Sequence, residues 1–362
     1  MRILLFIGSI DFIMSLVGYI YYRQNFAFAR SWVFGIIFWL LAVNTVISIL
    51  LPPSTPLLLT RASAWLEGLW IAFGYYTLLI AALHGLAWLI AKAFGAHLPN
   101  SKIAAAGLIC IISFIAWGSW RAFHPTVRTE QLVTDKLPAG TSYKIVFLTD
   151  IHMGRILGYN YAARLAARVN ALQPDLVLIA GDIIDEKIFY VSQQDSLGAL
   201  ARISAPLGTY MSYGNHEYMD NPALWGRMLE DHGIHVLKDA DVILNGRLKI
   251  TGIDDWIHNR TTDSIFALSA DNGKYYSIVM DHQPRRLDAA AQAGYDLYLA
   301  GHTHTGQLFP NRLVTKRMYK LDYGRSSFGS LTAITSNGYG FWGPPVRTEV
   351  APEMVVLELR GK

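Results

Sequence analysis

The chain has 362 residues, of which 52% are hydrophobic and 16% are charged, and its formal net charge is +4. Soluble domains usually carry about 25% charged residues. The shortfall lies at one end, because residues 1–120 hold only six Lys or Arg and two Asp or Glu. The positive charge belongs to this apolar part, so it does not indicate a nucleic-acid-binding surface. The single cysteine, Cys110, excludes an intrachain disulfide framework and a thiolate zinc site.

Four apolar stretches in the first third have the length of membrane-spanning helices, which is about 20 residues. They are residues 3–22, 32–52, 68–91 and 103–120. We expect the first stretch to be retained rather than cleaved as a signal peptide, because it lacks a small-residue cleavage site and three further stretches follow. Residues 1–120 therefore predict a membrane domain of about four transmembrane helices.

Asp11, Asn44 and His84 lie inside these apolar stretches. Polar groups at membrane depth indicate either a functional pathway or hydrogen bonds between helices. A pair between Asp11 and His84 is one arrangement. We expect ordinary helix–helix hydrogen bonding, since four spans with so few polar groups make a poor transport path.

The charges between the spans bear on the orientation in the membrane. Four spans place both termini on one side, where the short segments hold two basic residues, against four in the loops on the other side. The positive-inside rule then places the termini outside the cytoplasm. Adding Arg121 and Arg128, which follow the last span, makes the two sides equal. We expect a multi-pass protein of the cell (inner) membrane with an extracytoplasmic C-terminal domain.

The pattern changes after the last span. Residues 121–142 contain Pro125, Pro138 and Gly140 and predict a linker. From residue 143, short apolar runs alternate with amphipathic windows such as residues 161–173, which predicts an α/β domain over residues 143–362. The predicted strands are residues 143–150, 175–182, 208–215, 247–253, 275–282 and 295–302.

Five of these runs are followed by side chains that bind metals. In open α/β sheets the carboxyl ends of strands are the edge at which ligands bind. The side chains in question are Asp150 and His152, Asp182 with Asp185, Asn215 and His216, His282, and the pair His302 and His304. Each one alone is more often a turn, cap or core residue, whereas five strand ends with this property, in chain order, predict a metal site.

The chemistry of this set narrows the metal. Imidazole and carboxylate suit Zn, Fe and Mn and do not match a calcium cage of oxygens. The set exceeds what one tetrahedral ion can use, so it predicts two divalent ions about 3.5–4 Å apart that share a carboxylate. Such a pair serves in-line displacement at phosphorus by hydroxide formed from bound water.

The blocks "DIH", "GDIID", "GNHE", "DH" and "GHTH", in this order, resemble the calcineurin-like metallophosphoesterase superfamily over residues 143 to the end. The resemblance implies an α/β/β/α sandwich of two mixed sheets and two metal positions. One would be held by Asp150, His152, Asp182 and His304, and the other by Asp182, Asn215, His282 and His302. His216 would contact the scissile phosphate and Asp185 would orient His216.

One departure from the superfamily pattern is informative. Protein phosphatases in it follow the second block with Arg-Gly, whereas this chain has "GDIIDEK" over residues 181–187. The chain is closer to the bacterial membrane-associated branch, some of whose members act on lipid-linked substrates. Arg155 lies near enough to the first block to contact a substrate phosphate, and a plain surface arginine is the alternative.

The sequence therefore predicts a membrane-anchored phosphoesterase or pyrophosphohydrolase with two divalent ions (Mn, Fe or Zn). Its expected partners are membrane lipid and a phosphate-ester substrate, which could be lipid-linked. The sequence predicts no nucleic-acid partner, and no protein partner can be inferred from it. The alternatives are a catalytically silent membrane sensor or scaffold, against which the complete ligand set argues, and a transporter, for which polar residues in the spans are too few.

Overall fold

The computed structural model describes residues 2–269 and 273–362. These form two compact units. The first comprises Met1–Arg121 together with Gly343–Thr348, and the second comprises Ala122–Trp342 and Glu349–Lys362. The first unit ends at Arg121, and the second unit begins at Ala122 and is interrupted by the short segment Gly343–Thr348.

The first unit is helical. Its helices are α1 (Arg2–Asn25), α2 (Trp32–Leu50), α3 (Leu57–Ala93) and α4 (Asn100–Ala122). Each predicted stretch lies in one of them, except that residues 51–52 follow the end of α2. Among the described residues, α2, α3 and α4 are long and apolar enough to cross a membrane. Helix α3 begins at Leu57 rather than at residue 68, because an apolar run marks the membrane-embedded part of a helix and not its end.

The polar groups within the helical unit bond to other helices. His84 Nδ1 lies 3.0 Å from the Tyr21 hydroxyl and His84 Nε2 lies 3.1 Å from Asn100 Oδ1, which joins α3 to α1 and α4. Asn44 and Ser63 form two hydrogen bonds between α2 and α3. Both ring nitrogens of His84 therefore have partners other than Asp11. His84 takes part in the expected hydrogen bonding between helices and not in a pair with Asp11.

The segment Gly343–Thr348 packs into the helical unit although it comes from the far end of the chain. A methyl group at Gly68 would lie 2.5 Å from Pro345, and one at Gly118 would lie 2.7 Å from Thr348. The Tyr76 and Thr348 hydroxyls are 2.6 Å apart. The two glycines leave room on α3 and α4 that any larger residue would fill.

Over the described residues, the second unit has twelve strands in two mixed sheets of six. The strands are β1 (Thr126–Thr134), β2 (Ser142–Leu148), β3 (Leu176–Ala180), β4 (Thr209–Ser212), β5 (Ile234–Val236), β6 (Ala240–Leu244), β7 (Leu248–Gly252), β8 (Tyr276–Met280), β9 (Leu297–Ala300), β10 (Gly324–Phe328), β11 (Leu331–Thr335) and β12 (Glu353–Gly361). The first sheet has the order β1-β12-β2-β3-β4-β5 and the second has the order β10-β11-β9-β8-β7-β6.

Strand β1 corrects the predicted linker over residues 121–142. It pairs in parallel with β12 over its full length, and Arg128 forms an ion pair with Glu353 at 3.1 Å. Leu132 on β1 is buried in the core between the sheets. The strand escaped prediction because its side chains are mostly polar or exposed, as those of an edge strand often are.

Apolar layers separate the elements of the sandwich. Ile145 and Phe147 point into the core between the two sheets, whereas Val146 and Leu148 on the same strand point to the helices outside. The outer helices are α5 (Tyr159–Ala171), α6 (Ile188–Gln193), α7 (Ser196–Leu200), α8 (Pro222–Asp231), α9 (Asp263–Ser269) and α10 (Leu287–Gln292). This arrangement confirms the predicted α/β/β/α fold. A last short helix, α11 (Arg312–Met318), has no buried residues.

If β1 is part of the second unit, Leu132→Ala should lower the free energy of unfolding by about 2–5 kcal/mol, because it leaves a cavity between the sheets. The matched control is Val133→Ala, whose side chain is 63% exposed and whose loss should change the unfolding free energy by less than about 0.5 kcal/mol. Chemical unfolding of the detergent-solubilised chain measures both. Equal effects of the two substitutions would mean that β1 is not packed as described.

Candidate metal centre

The predicted ligands come together at one edge of the sandwich. Strands β2, β3 and β4 of the first sheet and β8 and β9 of the second each end one or two residues short of one of them. Because β2, β3 and β4 run parallel, as do β8 and β9, their carboxyl ends lie on common edges. The residues brought together there are Asp150, His152, Asp182, Asp185, His216, His282, His302 and His304. Asn215 directly precedes His216 in the loop after β4.

One group of ligand atoms is formed by Asp150, His152 and His304. His152 Nε2 lies 3.0 Å from His304 Nε2, and Asp150 Oδ1 lies 3.3 Å from His304 Nε2. Two ligands of one tetrahedral ion with bonds near 2.0–2.1 Å are about 3.3 Å apart. The nitrogens and oxygen therefore face a common point at a spacing that fits a first ion.

A second group is formed by Asp182, His282 and His302. Asp182 Oδ2 lies 3.1 Å from His282 Nε2, and His302 Nδ1 lies 3.3 Å from His282 Nε2. The same Asp182 oxygen is 3.9 Å from His152 Nε2 in the first group. The Asp182 carboxylate thus lies between the two groups, which is the position that a ligand shared by two ions must take.

The environment of the Asn215 side chain fits a role as a metal ligand. Its side-chain oxygen is buried and, among the described residues, receives no hydrogen bond. Burying such an oxygen without a partner costs about 1–3 kcal/mol. A metal ion beside it would supply the missing partner.

His216 is held beside the first group. Its Nδ1–H donates to the main-chain carbonyl of Asp185, and its ring centroid lies 4.6 Å from that of His152. The Asp185 carboxylate is 3.4 Å from His152 Nδ1 and 3.7 Å from His216 Nδ1. Asp185 therefore lies next to His216, and its main-chain carbonyl, rather than its carboxylate, accepts the hydrogen bond from that ring.

Hydrogen bonds from residues behind the ligands set the orientation of the ligand side chains. His282 Nδ1–H donates to the carbonyl of Ala180 at 2.7 Å, which directs Nε2 toward the centre. The Thr149 hydroxyl lies 2.7 Å from Asp150 Oδ2, and the His302 main-chain N–H donates to the same oxygen. Such partners fix the ring and carboxylate orientations that metal binding requires.

The backbone at the ligands is unusual. Asp150, His152, Asp182, His302 and His304 all have positive φ angles, between 47° and 69°. Non-glycine residues seldom adopt this left-handed conformation, and clusters of them occur at functional sites. A methyl group on the preceding Gly301 would collide with Thr149 and Asp150. The strand ends are thus bent sharply so that their side chains converge.

The electrostatics of the centre favour a bound cation. Burial opposes ionisation of Asp150 and Asp182, yet the surrounding imidazoles hold the pKa of both carboxyls well below the usual value. Burial likewise opposes protonation of His152, but Asp150, Asp185 and Asp182 raise its pKa to about 10. Burial and the neighbouring His282 lower the pKa of His302 to about 4. The ionised carboxylates are thus stabilised by nearby positive charge. Divalent ions can supply this charge in place of the protons on the histidines.

Glu217 was not singled out from the sequence. It is buried, and its carboxylate accepts main-chain N–H groups from Asp182 at 2.8 Å, Ile183 at 2.8 Å and Gly214 at 2.7 Å. Burial, and then the charge of Asp182, raise its pKa. Glu217 therefore joins the loops after β3 and β4. The only sequence signal was its place directly after His216 in "GNHE".

Arg155 lies at the first block but is engaged. Its guanidinium pairs with Glu186 at 2.5 Å, and the side chain is buried. Glu186 belongs to the "EK" that replaces Arg-Gly in the second block. The contact of Arg155 with a substrate phosphate remains a prediction. It would require the Arg155 guanidinium to share or break its ion pair with Glu186.

An α/β/β/α sandwich with clusters of His and Asp side chains at its strand ends is the arrangement of the metallophosphoesterase class. The family model of the calcineurin-like phosphoesterases matches residues 143–306. An uncharacterized metallophosphoesterase of Aquifex aeolicus is 30% identical over 257 residues, which span 68% of this chain and 96% of that relative. The chain belongs to the calcineurin-like metallophosphoesterase family, as its motifs predicted.

Two further relatives bear on the rest of the chain. An uncharacterized metallophosphoesterase of Campylobacter jejuni is 33% identical over 225 residues, which span 60% of this chain and 59% of that relative. A bovine (Bos taurus) transmembrane protein with metallophosphoesterase domain is 29% identical over 304 residues, which span 76% of this chain and 67% of that protein. The three apolar helices and this similarity support association of the chain with a membrane.

Glu217→Gln should weaken metal binding about 10- to 100-fold, as substitutions behind metal ligands usually do. The amide nitrogen of glutamine cannot accept the N–H groups that Glu217 now binds. Isothermal titration with Mn²⁺ measures the change. Glu230→Gln is the matched control, because Glu230 is exposed and also accepts a main-chain N–H, from Val236. Unchanged affinity in Glu217→Gln would show that Glu217 does not position the centre.

Proposed function

We propose that this chain is a membrane-associated phosphoesterase with a dinuclear metal centre, which hydrolyses a phosphate ester or pyrophosphate bond. The observation that carries the proposal is the position of the Asp182 carboxylate, 3.1 Å from His282 Nε2 in one group and 3.9 Å from His152 Nε2 in the other. Asp150, His152, Asp182 and His304 would hold one ion, and Asp182, Asn215, His282 and His302 would hold the second.

When bound, two such ions supply an activated water and stabilise the charge that develops on the phosphate oxygens. The protein residues supply position and protons. The bond from His216 Nδ1–H to the Asp185 carbonyl fixes the ring and leaves Nε2 as the atom that can reach the substrate. We propose that Nε2 contacts the scissile phosphate and donates a proton to the leaving oxygen, with Asp185 as a positioning residue.

The substrate is proposed to lie at the lipid surface. Support comes from the apolar helices that precede the site and from the "EK" at residues 186–187, where phosphoprotein phosphatases of the family have Arg-Gly. A lipid or lipid-linked phosphate ester is the finer proposal. The Arg155 guanidinium would contact the phosphate of this substrate after breaking its ion pair with Glu186.

Asp182→Ala should lower hydrolysis of a chromogenic phosphodiester by more than about 100-fold, since losing even an outer-shell partner costs 10- to 100-fold. It should also lower the metal content, measured by mass spectrometry, because the shared ligand is gone. His216→Gln should lower turnover by about 100- to 10,000-fold, the usual contribution of a general acid or base, while metal content is kept.

The control for these variants is His235→Asn, since His235 is exposed and pairs with Glu230 away from the ligand groups. It should keep both the activity and about two equivalents of metal. A purified chain that binds no metal and hydrolyses no phosphate ester would instead support the silent sensor or scaffold.

We also propose that the chain is a multi-pass protein of the cell membrane and that the metal-bearing unit is extracytoplasmic. A fusion of alkaline phosphatase after Lys362 should then be active, because that reporter folds only where disulfides form. A fluorescent reporter that matures only in the cytoplasm, fused at the same residue, should be dark. The reverse pattern would place the metal centre on the cytoplasmic side.

A further inference from the structure

Helix α11 presents apolar side chains to the solvent. Leu313, Val314 and Met318 are 61%, 53% and 56% exposed. The opposite side of the helix is the polar one, since Arg312 and Thr315 both bond to the Asp322 carboxylate, at 3.3 Å and 3.1 Å. Helices on globular proteins normally bury the apolar side and expose the polar side. The reversed arrangement indicates that an apolar partner covers α11.

The charge on the same helix limits the kind of partner. Lys316 and Arg317 are exposed, and α11 contains no acidic residue. In a seven-residue helix, Arg317 lies on the side of Leu313 and Val314 and Lys316 lies at its border. An apolar strip bordered by basic side chains matches the interface of a bilayer that contains anionic lipid, where the apolar side chains enter the acyl boundary and the cations meet the headgroups.

The helix is linked directly to the metal centre. It begins just after the turn that carries His304, and a methyl group at Gly306 in that turn would lie 2.5 Å from the Arg312 main-chain nitrogen. Gln307 in the same turn binds both the N–H and the carbonyl of Trp342. The Trp342 side chain is 51% exposed, and its ring lies 6.2 Å from that of His216. The exposed Trp342 is therefore connected to both sides. It is hydrogen-bonded to Gln307 in the turn that precedes α11, and its ring lies near that of the catalytic candidate His216.

We propose that the outer face of α11, formed by Leu313, Val314, Lys316, Arg317 and Met318, is an interfacial element that docks on a bilayer containing anionic phospholipid. Docking would hold the exposed Trp342, and with it the side of the metal centre that carries His216, at the lipid surface. The docking itself does not depend on catalysis. Its consequence, preferential access of lipid-borne phosphate esters, rests on the proposed function.

The test uses the full chain reconstituted in vesicles of phosphatidylcholine with or without phosphatidylglycerol. An environment-sensitive fluorophore is attached at Val314→Cys, in a background of Cys110→Ala. The matched control carries the fluorophore at Val133→Cys, an exposed valine on β1. The emission at residue 314 should shift to the blue and be quenched by nitroxide-bearing lipid, more strongly with phosphatidylglycerol. The emission at residue 133 should not respond.

Lys316→Gln and Arg317→Gln should each reduce the ratio of docked to undocked helix about fivefold in anionic vesicles and leave it unchanged in neutral ones, as expected for one basic group near the surface. Equal responses at residues 314 and 133 would overturn the proposal. A blue shift without lipid quenching that grows with the protein-to-lipid ratio would also overturn it, because it would identify a second copy of the chain as the occupant.

A separate measurement tests the consequence for substrate access. The double substitution Leu313→Ser and Met318→Ser should lower turnover of a phosphodiester lipid in vesicles at least about fivefold and leave turnover of a short, water-soluble phosphodiester unchanged. Equal effects on both substrates would overturn the role in access. Absence of turnover by the unsubstituted chain would count against the proposed function alone, because the fluorophore result needs no catalysis.

Discussion

The Asp182 carboxylate is the group around which the second unit is organised. It is buried, and its Oδ2 lies 3.1 Å from His282 Nε2, which follows β8 of the second sheet, and 3.9 Å from His152 Nε2, which follows β2 of the first sheet. Ionised groups taken out of water are costly unless they are paired or coordinate metals, so the centre requires the neighbours that surround it. The sandwich meets this requirement because its two sheets end at a common edge, and Glu217 holds the loops after β3 and β4 in one arrangement.

The two units of the chain differ in where their polar and apolar side chains lie. In the helical unit, hydrogen bonds of His84 and Asn44 join neighbouring helices, and the polar groups are used for packing. The segment Gly343–Thr348, which directly follows Trp342, belongs to that unit. In the other unit, α11 has its apolar side outward. A phosphoesterase tethered by helices and docked by such an element would work on substrates that remain in the bilayer.

Much of the fold was predictable because buried strands are continuous apolar runs. Strands β2, β3, β4, β8 and β9 could be located in this way, and the ligands were found because each follows such a run. The four helices were visible for a similar reason. Strand β1 was predicted as part of a linker, because its side chains are mostly polar or exposed and its pairing partner β12 lies more than 200 residues away in sequence. Gly343–Thr348 has the glycine and prolines of a surface loop, which conceal its packing against α3 and α4.

The sequence by itself determined the family, the ligand types and their attachment to strand ends, because residue identity and apolar runs are local properties. Only the tertiary structure showed that the Asp182 carboxylate lies 3.1 Å from His282 and 3.9 Å from His152, and that the main chains of several ligands adopt left-handed conformations. It also decided that Glu217 binds two loops, that Arg155 pairs with Glu186, and that α11 faces solvent with its apolar side. These features depend on distances between residues far apart in the chain, which no local pattern records.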